Sequence, residues 1–488
     1  MGRSTSTSAS KNDLLIPVLV GLLVFLMAAR APLDSDLFWH LRAGETTLGS
    51  LRPLLSDTMS YTRVGVAWIN HSWLGQVLLA LIYNGTGFLG LSTLVALCAA
   101  AMMLGIYSLM KGPPLWRAFV VVLACLVVAP LWTPRPQLFS LLLLVGLEIL
   151  LTRWRAGKAR LVWVIPLFVV WSNLHGGYPL GLILIACWIA GELLNRLTGQ
   201  EALGMRRLGQ LALAGLAGWL AVALNPNGTA MWAIPFQTLG VGALQQAIPE
   251  WASPDFHDLV QQPFLWMLAA LLGAFGLSGR RVEGKALVKV VVFAAMGLVA
   301  RRNFGPFGLL AAPVLAEMGW LVLERLAGRI PSGAAGSARP LSIRLQTALN
   351  LGIILLVGTA ALIKLFAVNQ PALLETYTRQ NYPAGAVAWL RQEHPQGRLF
   401  SSYAWGGYLD WAVPEYPVFI DGRTDLFGDE VIGEWLRIDG VESGWEESLA
   451  RWQVRLVLLP PGHPLGKALE QSGWRTRYHD ETAVVYER

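Results

Sequence analysis

The stretch Leu33-Asp34-Ser35-Asp36-Leu37-Phe38-Trp39-His40-Leu41-Arg42 follows directly on the first long apolar run, Leu14–Ala29. Two carboxylates, a histidine and an arginine therefore stand where the chain has just crossed a bilayer. Acids are scarce here: residues 1–367 contain only 14 Asp and Glu. Ionisable groups are costly at a membrane, so such a cluster marks a candidate functional site.

Working outward, apolar runs recur from residue 14 to residue 366 of a 488-residue chain that is 54% hydrophobic. This pattern is that of a polytopic α-helical membrane protein. There is no long charge run, no zinc-ligand spacing and no aromatic-basic interleaving, which excludes nucleic acid as a partner. Cys98, Cys125 and Cys187 all lie inside apolar runs and read as small core residues, not as a disulfide frame. The first run reads as a retained span in preference to a cleaved signal peptide.

Charge divides the chain. Residues 1–367 carry 27 Lys and Arg against 14 acids, and residues 368–488 carry 11 against 17. A basic transmembrane domain over 1–367 and an acidic, less apolar domain over 368–488 are expected. Eleven transmembrane spans are placed near 14–30, 90–110, 117–132, 136–152, 161–174, 178–195, 208–224, 262–278, 286–300, 304–323 and 346–366. With a cytoplasmic N-terminus, 19 basic residues fall inside and 8 outside, as the loop-charge rule requires. The C-terminal domain is then extracytoplasmic. Trp73–Tyr83 is apolar but short, and it is read as an interfacial helix within a long first outer loop, 31–89.

This topology collects the unusual residues on one face. The first loop brings Asp34, Asp36, His40, Arg42, Asp57 and His71. Thr133-Pro134-Arg135-Pro136 and Asn173-Leu174-His175-Gly176-Gly177 are tight outer turns. A longer outer loop runs from Asn225-Pro226-Asn227-Gly228 to Glu250 and Asp255, and Arg301-Arg302-Asn303 closes the set. Several have plain structural readings: Asp34 or Asp36 as a helix N-cap, Asn225–Gly228 as a turn, Gly176-Gly177 as a helix end. Arg301 and Arg302 run against the loop-charge rule and sit at headgroup depth. A guanidinium fork there suits a phosphate or pyrophosphate ester, and Arg135 and Arg42 join them as candidate donor-phosphate contacts. Asp36 and Glu250, with Asp34 and His40, are the candidate catalytic groups. One carboxylate takes a proton from an acceptor, or Asp36 and Glu250 hold Mg²⁺ or Mn²⁺. Both routes, with metal and without, stay open on the sequence. Within the spans, Glu148, Glu192 and Glu317 have no obvious partners.

One span, an acidic motif in a long first outer loop, many further spans and an outer C-terminal domain together resemble the GT-C glycosyltransferases, integral-membrane enzymes with polyprenyl-phosphate or polyprenyl-pyrophosphate sugar donors. Asp36-Leu37-Phe38-Trp39-His40-Leu41-Arg42 is similar to the Asp-x-x-x-His-x-Arg stretch of archaeal-type oligosaccharyltransferase catalytic subunits. Asp57-Thr58-Met59-Ser60-Tyr61 falls where that family has an Asp-Pro-Tyr-like segment, and Ile248-Pro249-Glu250 resembles its central-loop Ser-Val-Ser-Glu motif. The resemblance implies that Asp36 is the first-loop catalytic carboxylate, Glu250 the central-loop carboxylate, and Arg301 or Arg302 a donor-phosphate contact. Two departures stand out. The turn Thr133-Pro134-Arg135-Pro136 has no acid where the family carries an Asp-x-Asp-type motif. No Trp-Trp-Asp acceptor motif is present, the nearest stretch being Tyr403-Ala404-Trp405-Gly406-Gly407-Tyr408. Both argue for an acceptor other than protein asparagine.

Residues 368–488 read as a small α/β domain. Helices are expected at Ala384–Glu393, Glu430–Arg437 and Pro464–Gln471. Strands are expected at Arg398–Ser401, Val418–Ile420 and Arg455–Leu459, with a hairpin from Arg475–Tyr478 and Ala483–Tyr486. Its densest polar stretch, Asp421-Gly422-Arg423-Thr424-Asp425, is assigned with His71 and His175 to acceptor binding or an accessory role. The expected function is transfer of a sugar from a polyprenyl-linked donor to a glycan, lipid or protein acceptor on the outer face of a bacterial inner or plasma membrane. The alternative is a non-catalytic lipid-binding scaffold or transporter of the cell-envelope glycan pathway. The outer-face position of the polar cluster favours the enzyme, because transporters place their sites near the midplane.

Overall fold

A computed structural model describes residues 15–240, 242, 249–328 and 342–488. Candidate residue Ile248 and the loop arginines Arg3, Arg329 and Arg339 lie outside the described residues. All eleven apolar segments form helices: α1 (Leu15–Ala28), then, after α2 (Ser35–Ser50), α3 (Trp73–Leu109), α4 (Pro114–Val128), α5 (Gln137–Arg155), α6 (Val164–Leu174), α7 (Pro179–Leu197), α8 (Met205–Ala221) and, past the short α9 (Ile234–Gly240), α10 (Gln262–Leu277), α11 (Gly284–Val299), α12 (Phe304–Ala327) and α13 (Ile343–Val368). Among the described residues, six helical segments are long and apolar enough to cross a membrane, and α1, α10 and Leu161–Leu174 are shorter apolar helices. The chain is an integral membrane protein.

The segment read as interfacial is the first half of α3. The helix breaks at Gly87, whose φ of 62° and ψ of −152° only glycine adopts cheaply, and the apolar second half continues to Leu109. The early half packs against α2, so Trp73–Tyr83 forms part of the platform under the first-loop motif.

The acids within spans have partners after all. Glu148 accepts a bond from Trp188 Nε1 at 2.8 Å and pairs with the buried Lys289. Glu192 takes Arg155 at 2.8 Å and the Leu203 amide at 2.9 Å, and Glu317 takes Lys111 at 2.7 Å. The sequence hid these pairings because each partner comes from a different helix or loop.

The C-terminal part holds α14 (Pro371–Asn381), α15 (Ala384–Glu393), α16 (Gly406–Ala412), α17 (Thr424–Asp439), α18 (Trp445–Arg451) and α19 (Pro464–Gln471) around a four-stranded sheet. Its strands are β1 (Arg398–Ser401), β2 (Val454–Leu459), β3 (Arg475–His479) and β4 (Val484–Glu487), in the order β1-β2-β4-β3. β1 and β2 are parallel, and β3 and β4 form the expected hairpin. Val418–Ile420 is buried but joins no ladder; it makes a single bridge to Ser60 of the first loop. That bridge belongs to a wider junction. Trp39, Leu54, Met59 and Trp68 share one apolar core with Phe400, Phe419, Ile420 and Phe427. Thr62 Oγ1 donates to Phe419 O at 2.7 Å, and Arg63 donates to Phe427 O at 2.8 Å. The first loop and the C-terminal domain are thus one structural unit above the helices.

At its centre Arg423, 1% exposed, bonds Asp421 at 2.6 to 3.0 Å and Asp57 at 2.6 Å. Asp57 also accepts the Met59 and Ser60 amides at 3.1 Å and the Ser60 hydroxyl at 2.6 Å. Burial, then the neighbouring Asp421, push the Asp410 carboxyl well above the usual range. Removing one partner of a buried ion pair strands the other charge. Asp57→Ala is therefore expected to destabilise this unit by about 3–5 kcal/mol, read as a lowered unfolding temperature in detergent.

Loop charge and fold together give a second expectation. An impermeant maleimide added to intact cells should label Glu393→Cys and spare Lys158→Cys until the membrane is opened. Both positions are exposed, and the three native cysteines are buried.

Candidate functional site

Asp34 caps α2: its backbone is extended (φ −147°, ψ 140°) and its side chain accepts the Asp36 amide at 2.9 Å. This cap sets the phase of the helix. Asp36, Trp39 and His40, at spacings of three and four residues, then share one face, and all three line a cavity of about 620 Å³. Arg42, six residues past Asp36, falls on another face and does not line it; its charge acts on Glu45.

The turn between α4 and α5 sends Arg135 into the cavity wall. Its Nε donates to Asp34 Oδ1 at 2.5 Å, its Nη1 lies 2.6 Å from Asp36 Oδ2, and Glu250 Oε2 is 3.6 Å away. Burial works against the Arg135 charge, but Asp36, Asp34 and Glu250 outweigh it and raise its pKa. Burial likewise pushes Asp36 up, Arg135 pulls it down, and Asp34 and Glu250 push it up again, leaving it at about 6. Arg135 is thus a partner of the carboxylates and not a free phosphate contact. It also decides the fit of a divalent ion. Mg²⁺ or Mn²⁺ bound by Asp36 and Glu250 would compete with this guanidinium for Asp36 Oδ2 and Glu250 Oε2. Among the described residues, no group of three or more His, Cys, Asp or Glu is arranged to hold a metal ion.

The C-terminal domain closes over Asp36 at Gly422. A Cβ at this position would lie 2.1 Å from Asp36 Oδ1 and 2.7 Å from Trp39 Nε1, so only glycine lets the backbone approach. Tyr403, Thr424 and Asp425 line the cavity from the same side. Asp421 and Arg423, expected as acceptor contacts, turn away into the buried cluster with Asp57. They hold the Gly422 loop in place instead of facing the cavity.

Two histidines also line the cavity. His71 Nδ1 accepts the Gly176 amide at 3.2 Å and lies 2.8 Å from Ser72 Oγ. His175 Nδ1 accepts the Gly177 amide at 3.0 Å and lies 2.7 Å from Ser140 Oγ, which in turn accepts Trp171 Nε1. A nitrogen that accepts a backbone N–H carries no proton. Each ring is therefore the neutral tautomer with its proton on Nε2. Burial lowers both pKa values in agreement, that of His175 further through His71 and Arg302. His40 is also lowered by burial, and its Nδ1 has no partner.

Arg301 and Arg302 part company. They occupy one tight turn, Arg301–Asn303, in which successive side chains diverge. Arg302 lines the cavity and stacks on Trp251 at 4.0 Å. Arg301 does not line it, and its charge acts on Asp255 and Asp258. Below the polar walls, Leu141, Leu180, Ile183 and Pro306 form an apolar floor between α5, α7 and α12. Sequence reading missed Tyr403, Trp251 and Ser140, whereas Asp425 belongs to the polar stretch expected to meet an acceptor and does line the cavity. Trp251 adjoins Glu250, which was singled out; Ser140, a lone hydroxyl near the start of a span, carried a signal only through its neighbourhood in space.

The Asp36 carboxyl predicts a pH profile. A reaction that uses Asp36 as a base should gain rate as pH rises through about 6, where the carboxylate forms. Arg135 favours that ionised form, so Arg135→Gln should move the acid limb to higher pH; an unmoved limb would separate Asp36 from Arg135.

No protein-family model and no curated protein matches the chain. Solved structures do. The oligosaccharyltransferase of Archaeoglobus fulgidus in its apo form aligns with a TM-score of 0.58 at 12% identity, over 92% of this chain and 70% of that one. ArnT from Cupriavidus metallidurans bound to undecaprenyl phosphate aligns with a TM-score of 0.53 at 13% identity, over 98% of each chain. The same protein in its apo state gives 0.52 at 13% identity and the same coverage. This membrane protein has the fold of the GT-C glycosyltransferases.

Proposed function

We propose that the protein is a membrane glycosyltransferase that moves a sugar from a polyprenyl-phosphate or polyprenyl-pyrophosphate donor to an acceptor, without a metal ion. The observation that carries this reading is one cavity with two chemically distinct walls. The first holds Asp36 as an ionisable carboxylate oriented by Arg135. The second offers Arg302 and the Nε2–H groups of His71 and His175 to an anion. The apolar floor gives the first isoprene units somewhere to lie. A solved neighbour of the same fold was crystallised with undecaprenyl phosphate, which supports a ligand of this class.

The step balances with these residues alone. Asp36 takes the proton of the acceptor hydroxyl or amine. The freed lone pair bonds to the anomeric carbon. The bond from that carbon to the phosphate oxygen breaks, and the electron pair leaves with the phosphate. Arg302 and the two imidazole N–H groups stabilise that developing charge. Arg135 and Asp34 hold Asp36 in place, and Glu250 shares the Arg135 charge. The C-terminal domain, over the Asp36 wall, is placed to receive the acceptor through Tyr403 and Asp425. With the cytoplasmic N-terminus expected from loop charge, this face is extracytoplasmic, and the reaction belongs to assembly of a bacterial cell-envelope glycan.

The test is transfer of radiolabelled sugar from membrane-extracted polyprenyl-linked donors by purified protein. Asp36→Asn should lower turnover by about 100-fold or more while leaving donor binding intact. Full turnover in this variant would remove Asp36 from the chemistry. Uptake of the lipid-linked sugar into liposomes that survives the substitution would instead support a transporter.

A further inference from the structure

The charges of the cavity narrow the donor, an inference that rests on the transferase reading above. Among the described residues, two cations line the cavity, Arg135 and Arg302. Arg135 is taken by Asp34, Asp36 and Glu250. Among the described residues, Arg302 has no carboxylate within 4 Å, and its face rests on Trp251. The segment 243–248, outside the described residues, has no charged side chain in its sequence and adds no cation.

The other donors facing an anion are neutral. His71 and His175 each accept a backbone N–H on Nδ1, so each gives an Nε2–H without giving a charge. Asn303 spends its amide on Met296 O at 3.0 Å. Opposing them, Glu250 and Asp425 line the same space. A second negative charge on the ligand would find no second cation there, and it would face these carboxylates in a partly dehydrated site. A divalent ion is the usual remedy for a pyrophosphate, but its place beside Asp36 and Glu250 is filled by the Arg135 guanidinium.

We propose that the donor is a polyprenyl monophosphate sugar, a phosphodiester of one negative charge, and not a pyrophosphate-linked sugar of two. The same arithmetic holds after transfer. The monophosphate leaves with two charges and the pyrophosphate with three, and Arg302 with two neutral N–H groups suits the smaller number. The His71–His175 pair then sets selectivity, since it lengthens the list of donors without inviting more charge.

The experiment uses two capped probes, so that the unknown sugar plays no part: polyprenyl methyl phosphate with one charge, and P1-polyprenyl P2-methyl pyrophosphate with two, of equal chain length. Their dissociation constants are measured on the full-length protein in detergent, with and without Mg²⁺. The one-charge probe should bind at least about tenfold tighter, with no gain for the other on adding Mg²⁺. Glu250→Gln should narrow the gap by relieving repulsion, and Arg302→Gln should weaken both probes where Arg302→Lys does so less. Equal or tighter binding of the pyrophosphate, with or without Mg²⁺, overturns this inference and leaves the transferase reading standing. Failure of both probes to bind the parent protein overturns the lipid-phosphate reading itself.

Discussion

The arrangement depends on one guanidinium. Arg135 sits on a turn between two spans and meets Asp34 and Asp36 from the start of α2 and Glu250 from a loop more than a hundred residues later. Three carboxylates converging without a cation would repel one another and protonate. One planar cation with several donors lets them share a wall. It also tunes Asp36, because burial raises the carboxyl and Arg135 restrains that rise to about 6. A proton acceptor that titrates just below neutral pH is ionised when needed and still basic enough to accept a proton.

The second constraint is the union of the first loop with the C-terminal domain. Arg423, bonded to Asp421 and Asp57, lies in a shared apolar core that includes Trp39 and Trp68. This clamp presses Gly422 against Asp36, where no larger residue fits. Residues at the ends of the membrane helices line most of the cavity, and Tyr403, Gly422, Thr424 and Asp425 line it from the C-terminal domain. A ligand in the cavity therefore touches both halves of the chain at once. This explains why the polar loops carry their unusual residues where they do, and why Asp57 and Arg423 serve the site without facing it.

Much of this was legible in the sequence. Hydropathy placed all eleven apolar helices, and strand patterning placed all four strands, the closing hairpin among them, while adding Val418–Ile420, which joins no ladder. Asp36, His40, His71, Arg135, His175, Glu250 and Arg302 were singled out from residue type and loop position, and all line one cavity. What failed was the assignment of partners. Arg135 reads as a phosphate contact until Asp34, Asp36 and Glu250 are seen around it. Arg42 fell to helical phase, Arg301 to the divergence of side chains in a tight turn, and Asp421 and Arg423 to burial. Glu148 and Glu192 looked unpaired because Lys289 and Arg155 lie on other helices. Periodicity reports which face a residue takes; it does not report which distant charge will meet it there.

In the proposed reaction the labour is divided within one cavity, Asp36 with Arg135 handling the proton and Arg302 with the two histidines handling the phosphate. The most direct measurement is a cryo-EM structure of the full-length protein in a nanodisc with a polyprenyl phosphate bound. The account predicts phosphate oxygens at about 3 Å from the Arg302 guanidinium and from Nε2 of His71 and His175, with Arg135 still bonded to Asp34 and Asp36. A phosphate seated on Arg135, with Asp36 displaced or bound to a metal ion, would contradict it.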